Sequence, residues 1–299
     1  MTNRAMLFSV ASCLLMLGSA PLNAQVNDPN SGIQYNRGQN VQPAFEGWKP
    51  NSDGTTTFYF GYLNRNFEEQ IDVPVGPDNK FEPGNIDQGQ PTHFYTRRHM
   101  FVFTIKVGKD WKPEQQLVWT LTTHGQTLRA KASLNPAWQM DNGVISENAG
   151  SGVVDWSNEA PSLTGTGPST ITMPNTATLT AKATDDGLPK PKPRKPRGVE
   201  TAKPQQEELT GIPSIIPQSM LRGPGLGVKW ILYRGPGPVR FDPVQTKPVF
   251  ETSLTSTTTV KFSVPGNYRL RAIASDGSLE TSYDFDVVVK PNPTEAGNQ

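Results

Sequence analysis

Strict two-residue alternation of apolar and polar side chains constrains this chain most. In HMFVFTIKV, residues 99–107, Phe101, Phe103, Ile105 and Val107 fall on one side. Val102, Thr104 and Lys106 fall on the other. Successive side chains of an extended strand point to opposite faces, so this pattern predicts a strand with one buried face. QLVWTLTTHGQTLRAKASL repeats the pattern twice around a break at His124-Gly125. Leu117, Trp119 and Leu121 face inward on the first arm; Leu128, Ala130, Ala132 and Leu134 do so on the return. That is a hairpin. TTTFYFGYL (55–63) and EEQIDVPV (68–75) read as further strands. Helical periodicity is nearly absent, so 41–137 is predicted to be an antiparallel sandwich.

Composition supplies the interruptions. Gly and Pro number 27 and 28 of 299 residues, and hydrophobic residues are 34%. Cores of that size need polar connectors between them. Residues 138–170 lose the alternation in Gly, Ser, Asn and Pro, and they read as a linker. Residues 25–40 and 292–299 read as flexible ends.

The chain begins MTNRAMLFSVASCLLMLGSAPLNAQ. A positive Arg4, an apolar run from Ala5 to Gly18 and Leu22-Asn23-Ala24 have the form of a secretory leader, 1–24, cleaved after Ala24. The run is short for a span of about 20 residues. The single cysteine, Cys13, lies within it, so the mature chain must hold itself together without a disulfide. The expectation is export, to a bacterial periplasm or exterior, with no transmembrane segment in the mature chain.

Alternation resumes in TATLTAKATDDGLP and LGVKWILYRGPGPVRF, and again in TTTVKFSVPGNYRLRAIASDG and SLETSYDFDVVVK. Ala177, Leu179, Ala181 and Ala183 share one face; so do Val228, Trp230 and Leu232, and Tyr283, Phe285, Val287 and Val289. This order of strands resembles the immunoglobulin-like modules of the PKD and related bacterial families. Its most specific piece is Pro265-Gly266-x-Tyr268-x-Leu270-x-Ala272-x-Ala274-Ser275-Asp276-Gly277. The resemblance implies that Trp230 is the core tryptophan. It also implies that Tyr268 forms a tyrosine corner, with its ring in the core and its hydroxyl on backbone. The WDFGDG segment typical of PKD domains is missing, and WILYRGPGPVRF stands in its place. The fold class expected is therefore all-β. Two antiparallel, immunoglobulin-like β-sandwich domains, 41–137 (unassigned to a family) and 171–291, are joined by a Gly/Ser/Pro-rich linker.

Within the second domain, 189–225 reads as a long, disordered insertion between two strands, not as an interdomain linker. Between 190 and 203, six cations, Lys190, Lys192, Arg194, Lys195, Arg197 and Lys203, face only Glu200, a local charge of +5 within a chain of net +1. Alternating Lys-Pro favours an extended polyproline conformation that projects charge outward. Such a run suits an anionic envelope polymer or glycan. It carries no interleaved aromatic residue for stacking bases, so nucleic acid is not an expected partner. Lys190, Lys192, Arg194, Lys195 and Arg197 are the candidate contact residues, against the plain reading of a solvated loop.

Other constellations are weaker. His93 and His99 would share a face if 93–99 were extended, but the pair is loose for a metal. His124 belongs to the hairpin turn. No cofactor is required; calcium is the one ion that the loop carboxylates Asp185, Asp186, Asp276, Asp284 and Asp286 would suit. Turn chemistry explains the Asp-Gly pairs first. Glu68 and Glu69 are adjacent, so strand geometry would send them to opposite faces. No nucleophile elbow, phosphate loop or His-Glu-x-x-His occurs, and no catalytic residue is assigned. Phe58, Tyr59, Phe60 and Tyr62 place aromatics on both faces of one strand; Trp48, Trp111 and Trp138 read as loop residues. They suit either a sugar or peptide platform or ordinary core. The leading expectation is a non-enzymatic binding or scaffold protein of the cell envelope. The alternative is a carbohydrate-binding protein or hydrolase with its site in 41–137. A pocket gathering His93, a carboxylate and a Trp would favour the alternative. A flat first domain with every His at the surface would favour the binding or scaffold protein.

Overall fold

The computed structural model describes residues 35–148, 155–190 and 225–293. The expected leader and most of the cationic insertion lie outside them. The described residues are all-β apart from short helical turns.

The first half builds three small sheets. β1 (Val41–Pro50), β2 (Thr56–Asn64) and β6 (Arg97–Val107) form one, in that order. β4 (Asn79–Glu82), β7 (Leu117–Thr123) and β8 (Gln126–Ala132) form the second. β3 (Ile71–Asp72) and β5 (His93–Phe94) pair over two residues. Alternation works as expected in the β7–β8 hairpin: Leu117, Trp119, Leu121, Ala130 and Ala132 are buried. His124 and Gly125, at φ 48° and 73°, supply the turn with two positive φ values. The enclosed core is aromatic, with Phe58, Phe60, Phe81, Phe94, Phe103 and Trp119 all buried.

Four expectations need correction here. The strand foreseen at 68–75 shrinks to Ile71–Asp72. Glu68 and Glu69 lie before it, bonded to Asn36 and Gly38. The end of the stretch read as flexible, 35–40, is tied down on the 65–69 loop, because its polar groups find partners there: Gln39 N–H donates to Asn66 Oδ1 at 2.7 Å. Phe101 leaves the buried face. The β2–β6 register slips between Phe60, opposite Phe103, and Tyr62, opposite His99. Gly61 sits at the slip, where a Cβ would strike the His99 carbonyl and the Glu46 carboxylate. Phe101 adopts φ 52°, an outlier for a bulky residue, and turns its ring toward Tyr59. Trp48, read as a loop residue, lies in β1.

The second half packs two four-stranded sheets face to face. β11 (Ala177–Thr184) and β14 (Ser253–Phe262) lie between β9 (Ser162–Thr166) and β13 (Val239–Asp242). The facing sheet runs β10 (Thr170–Thr172), β16 (Glu280–Lys290), β15 (Gly266–Ser275), β12 (Gly227–Arg234). β10 joins it in parallel, the other pairs are antiparallel. Ala177, Leu179, Ala181 and Ala183 meet Val228, Trp230 and Leu270 across one core. Trp230 Nε1–H donates to Ser256 Oγ at 3.0 Å. Tyr268 is buried, and its hydroxyl donates to the Val264 carbonyl at 2.8 Å, the corner geometry that the resemblance implied. Tyr283, expected inward, is partly exposed over β9.

Among the described residues of 138–170 lie the end of a 3-10 turn (Pro136–Trp138), helix α1 (Asn142–Asn148), all of β9 and the first residue of β10. β9 looks like linker because it is SLTGT. Gly165 is small because the Phe285 and Tyr283 rings lie where its Cβ would be. Strands β11 and β12 flank the insertion, and both feed the same core.

The two halves touch directly and belong to one compact unit. Tyr233 of β12 is buried in the aromatic core of the first half. Its hydroxyl donates to the Gly89 carbonyl, and its carbonyl accepts from Thr92 N–H. Arg234 grips Asp87 with both Nη atoms, at 2.9 and 2.7 Å.

Candidate functional site

The outer face of the β12–β15–β16 sheet is where the halves meet. Cross-strand pairing there sets Arg269 opposite Asp286, Arg271 opposite Asp284, and Ile273 opposite Ser282. Both arginines take their aspartate through two bonds of 2.6 to 2.9 Å. Arg271 Nη1 also donates to the Val102 carbonyl of β6 at 2.8 Å, and its guanidinium lies 3.6 Å from the Tyr233 ring centre. A buried arginine with all three guanidinium nitrogens bonded this way is a strut between the halves.

Beside this strut the surfaces part and leave a cleft. Its inner end is a cavity of about 110 Å³. The first half lines it with Tyr62, Tyr95, His99 and Phe101. The second half supplies Lys229, Tyr233, Arg271 and Glu280. A wider chamber of about 520 Å³ shares Phe101, Val102, Arg271 and Glu280 with it. The chamber runs on between Tyr59 and Thr104 on one side and Arg269, Ser282 and Asp284 on the other.

The groups at the inner end are electrostatically perturbed. Burial pushes the Glu280 carboxyl up to about 8, against the pull of Lys229. Its Oε1 is buried and has no hydrogen-bond partner in the protein. Burial lowers the Lys229 ammonium, and Glu280 partly restores it. Burial holds His99 down to about 4, so its imidazole is neutral. His99 Nε2–H donates to the Thr96 carbonyl at 3.0 Å, which leaves Nδ1 as an acceptor. Tyr95 is pushed up to about 12, mainly by burial, and its oxygen accepts from Leu232 N–H at 2.8 Å. Perturbed groups gathered in a concave site between two bodies mark a functional site on physical grounds.

The residues singled out from sequence fare unevenly. His93 and His99 do come to this cleft, but as separate members. His93 is held by Asp72 at 2.7 Å and Gln70 at 2.8 Å. Among the described residues no group of three or more His, Cys, Asp or Glu side chains is arranged to hold a metal ion. Asp185, Asp186 and Asp276 make the turn bonds expected of them, to Gly187, Leu188 and Ser278 N–H. Asp284 and Asp286 are taken by the arginines. Lys190 is exposed beyond the end of β11 and lines neither part of the cleft. Lys192, Arg194, Lys195 and Arg197 lie outside the described residues.

Lys229, Arg271 and Glu280 were not anticipated. A signal existed. Ile231, Tyr233 and Ile273 occupy the outer faces of β12 and β15, opposite the core-facing Trp230, Leu232 and Ala272. A sheet with apolar residues on both faces has something covering its second face. That cover is the first half.

Comparison with known proteins adds no family: no family model matches the chain, and no curated protein sequence matches it significantly.

Proposed function

We propose that this chain is an exported binding protein of the bacterial cell envelope, which holds its ligand in the cleft between its two β halves. One observation carries the reading: a buried, unpartnered carboxyl oxygen of Glu280 in a cavity walled by both halves. An orphaned buried acceptor costs about 1–3 kcal/mol, and a bound donor would recover that. The burial of His93 and His99, and the meeting of His93 with Glu280, argue against a flat display scaffold. Among the described residues no tryptophan lines the cleft. Export rests on the leader-like N-terminus, and attachment through Lys190, Lys192, Arg194, Lys195 and Arg197 rests on their charge.

The test is a thermal-shift screen of the mature chain against a broad set of small metabolites, beside Ser282→Trp. Ser282 is exposed on the chamber wall, so an indole there fills the cleft without entering either core. Ligands should raise the melting temperature of the native chain and leave Ser282→Trp unmoved. Ligands that stabilise both equally would rule out the cleft as their site.

A further inference from the structure

We infer that the cleft takes an uncharged oligosaccharide, laid along the Arg–Asp ladder of β15 and β16 and against the rings of Tyr59 and Phe101. The inference rests on the proposed binding role and names the ligand class for that same site.

Charge balance comes first. The ladder presents two guanidinium groups and two carboxylates, each paired at 2.6 to 2.9 Å with the opposite charge. A wall of matched pairs has little net field, so it selects neither an anion nor a cation. It does offer fixed donors and acceptors in alternation. Ser282 and Thr281 add hydroxyls beside them. Neighbouring hydroxyls of a sugar, each both donor and acceptor, match such a row.

The opposite wall supplies the apolar part. Tyr59 and Phe101 are half-buried, with ring centres 6.2 Å apart and planes near perpendicular. Phe101 reaches this place only through the slip in β6 and its φ of 52°. A bulky residue held in that region costs of order 1–3 kcal/mol, and such strain concentrates at binding sites. The apolar face of a pyranose stacks on rings of this kind. The chamber, at about 520 Å³, falls within the range of about 300–1,000 Å³ typical of ligand sites.

A peptide fits less well. β6 is the outer strand of its sheet, and a peptide would bind there by adding a strand. Arg271 already occupies the Val102 carbonyl on that edge. A sugar needs side-chain groups instead, and those are what the cleft offers.

Calorimetric titration of the mature chain with cello-, xylo-, malto-, laminari- and chitohexaose tests this, beside an anionic galacturonic acid hexamer and a cationic chitosan hexamer. At least one neutral sugar should bind, and both charged ones should not. Ser282→Trp and Tyr59→Ala should each weaken that binding about tenfold or more, roughly 1.4 kcal/mol. Their melting temperatures, measured in parallel, separate lost binding from lost folding. Binding unchanged by both variants would overturn the inference, as would tighter binding of a charged sugar. If no sugar binds but the metabolite screen yields a ligand that Ser282→Trp excludes, the sugar inference fails and the cleft stands as a binding site. If neither yields a cleft ligand, both readings fall.

Discussion

The two halves solve the same packing problem with different materials. The first fills the space between three short sheets with aromatic rings: Phe60 stacks on Phe103 at 5.3 Å and Phe81 on Trp119 at 5.8 Å. The second presses two longer sheets together over alanines, with one register slip between Leu232 and Arg234 where β12 meets the first half, and with Trp230 as its buried tryptophan. Rings tolerate irregular strands, because each fills volume that no single alternation pattern could. Alanines demand regular strands, because close sheets leave no slack. The first half can therefore accommodate the β6 slip that turns Phe101 outward, while the unbroken β15–β16 pairing of the second supplies an ordered ladder of charged pairs. The cleft needs one of each.

The most damaging change to this contrast lies in the aromatic core. Trp119→Ala removes a fully buried indole that stacks on Phe81 and donates to Asn79 Oδ1 at 2.9 Å. Denaturant unfolding should show a loss of about 3–5 kcal/mol. The opposite change tests the second half: Ala181→Leu forces bulk between close sheets and should cost about 1–3 kcal/mol by the same measurement. A neutral Ala181→Leu would mean that the second core has slack. Tyr268→Phe removes one hydrogen bond to Val264 and keeps the ring, so it should cost about 0.5–1.5 kcal/mol.

The region between the halves gives a pH signature. Glu280 titrates at about 8 when folded, against 4.5 ordinarily. The folded chain thus holds this proton more tightly than the unfolded chain. That contribution is complete below the ordinary value and is lost as pH rises toward 8. His99 acts in the other direction: lowered from 6.5 to about 4, it costs stability as pH falls through that window. Unfolding free energy should therefore decline on both sides of a mildly acidic optimum. Glu280→Gln should flatten the alkaline side and leave the acid side. An unchanged alkaline slope would mean that Glu280 ionises normally.

Legibility followed the same divide. The β7–β8 hairpin and strands β11, β14 and β16 could be read from alternation alone, because each has one wetter face and one dry face. β9 escaped because a strand lying under two aromatic rings is built from Gly, Ser and Thr, the composition of a loop. Phe101 was assigned to the wrong face because a one-residue slip reverses alternation and leaves no mark in the sequence but Gly61 on the partner strand. The cleft escaped because Lys229, Arg271 and Glu280 read as the polar sides of exposed strands. Only Ile231, Tyr233 and Ile273 beside them show that this face is covered.

The cleft exists only while the two halves act as one body. Differential scanning calorimetry of the mature chain tests this directly, with Tyr233→Ala as the comparison. The native chain should melt in one transition with equal calorimetric and van't Hoff enthalpies. Tyr233→Ala, which withdraws the ring that β12 sends into the first core, should split that transition in two. Two independent transitions in the native chain would contradict a cleft built from both halves.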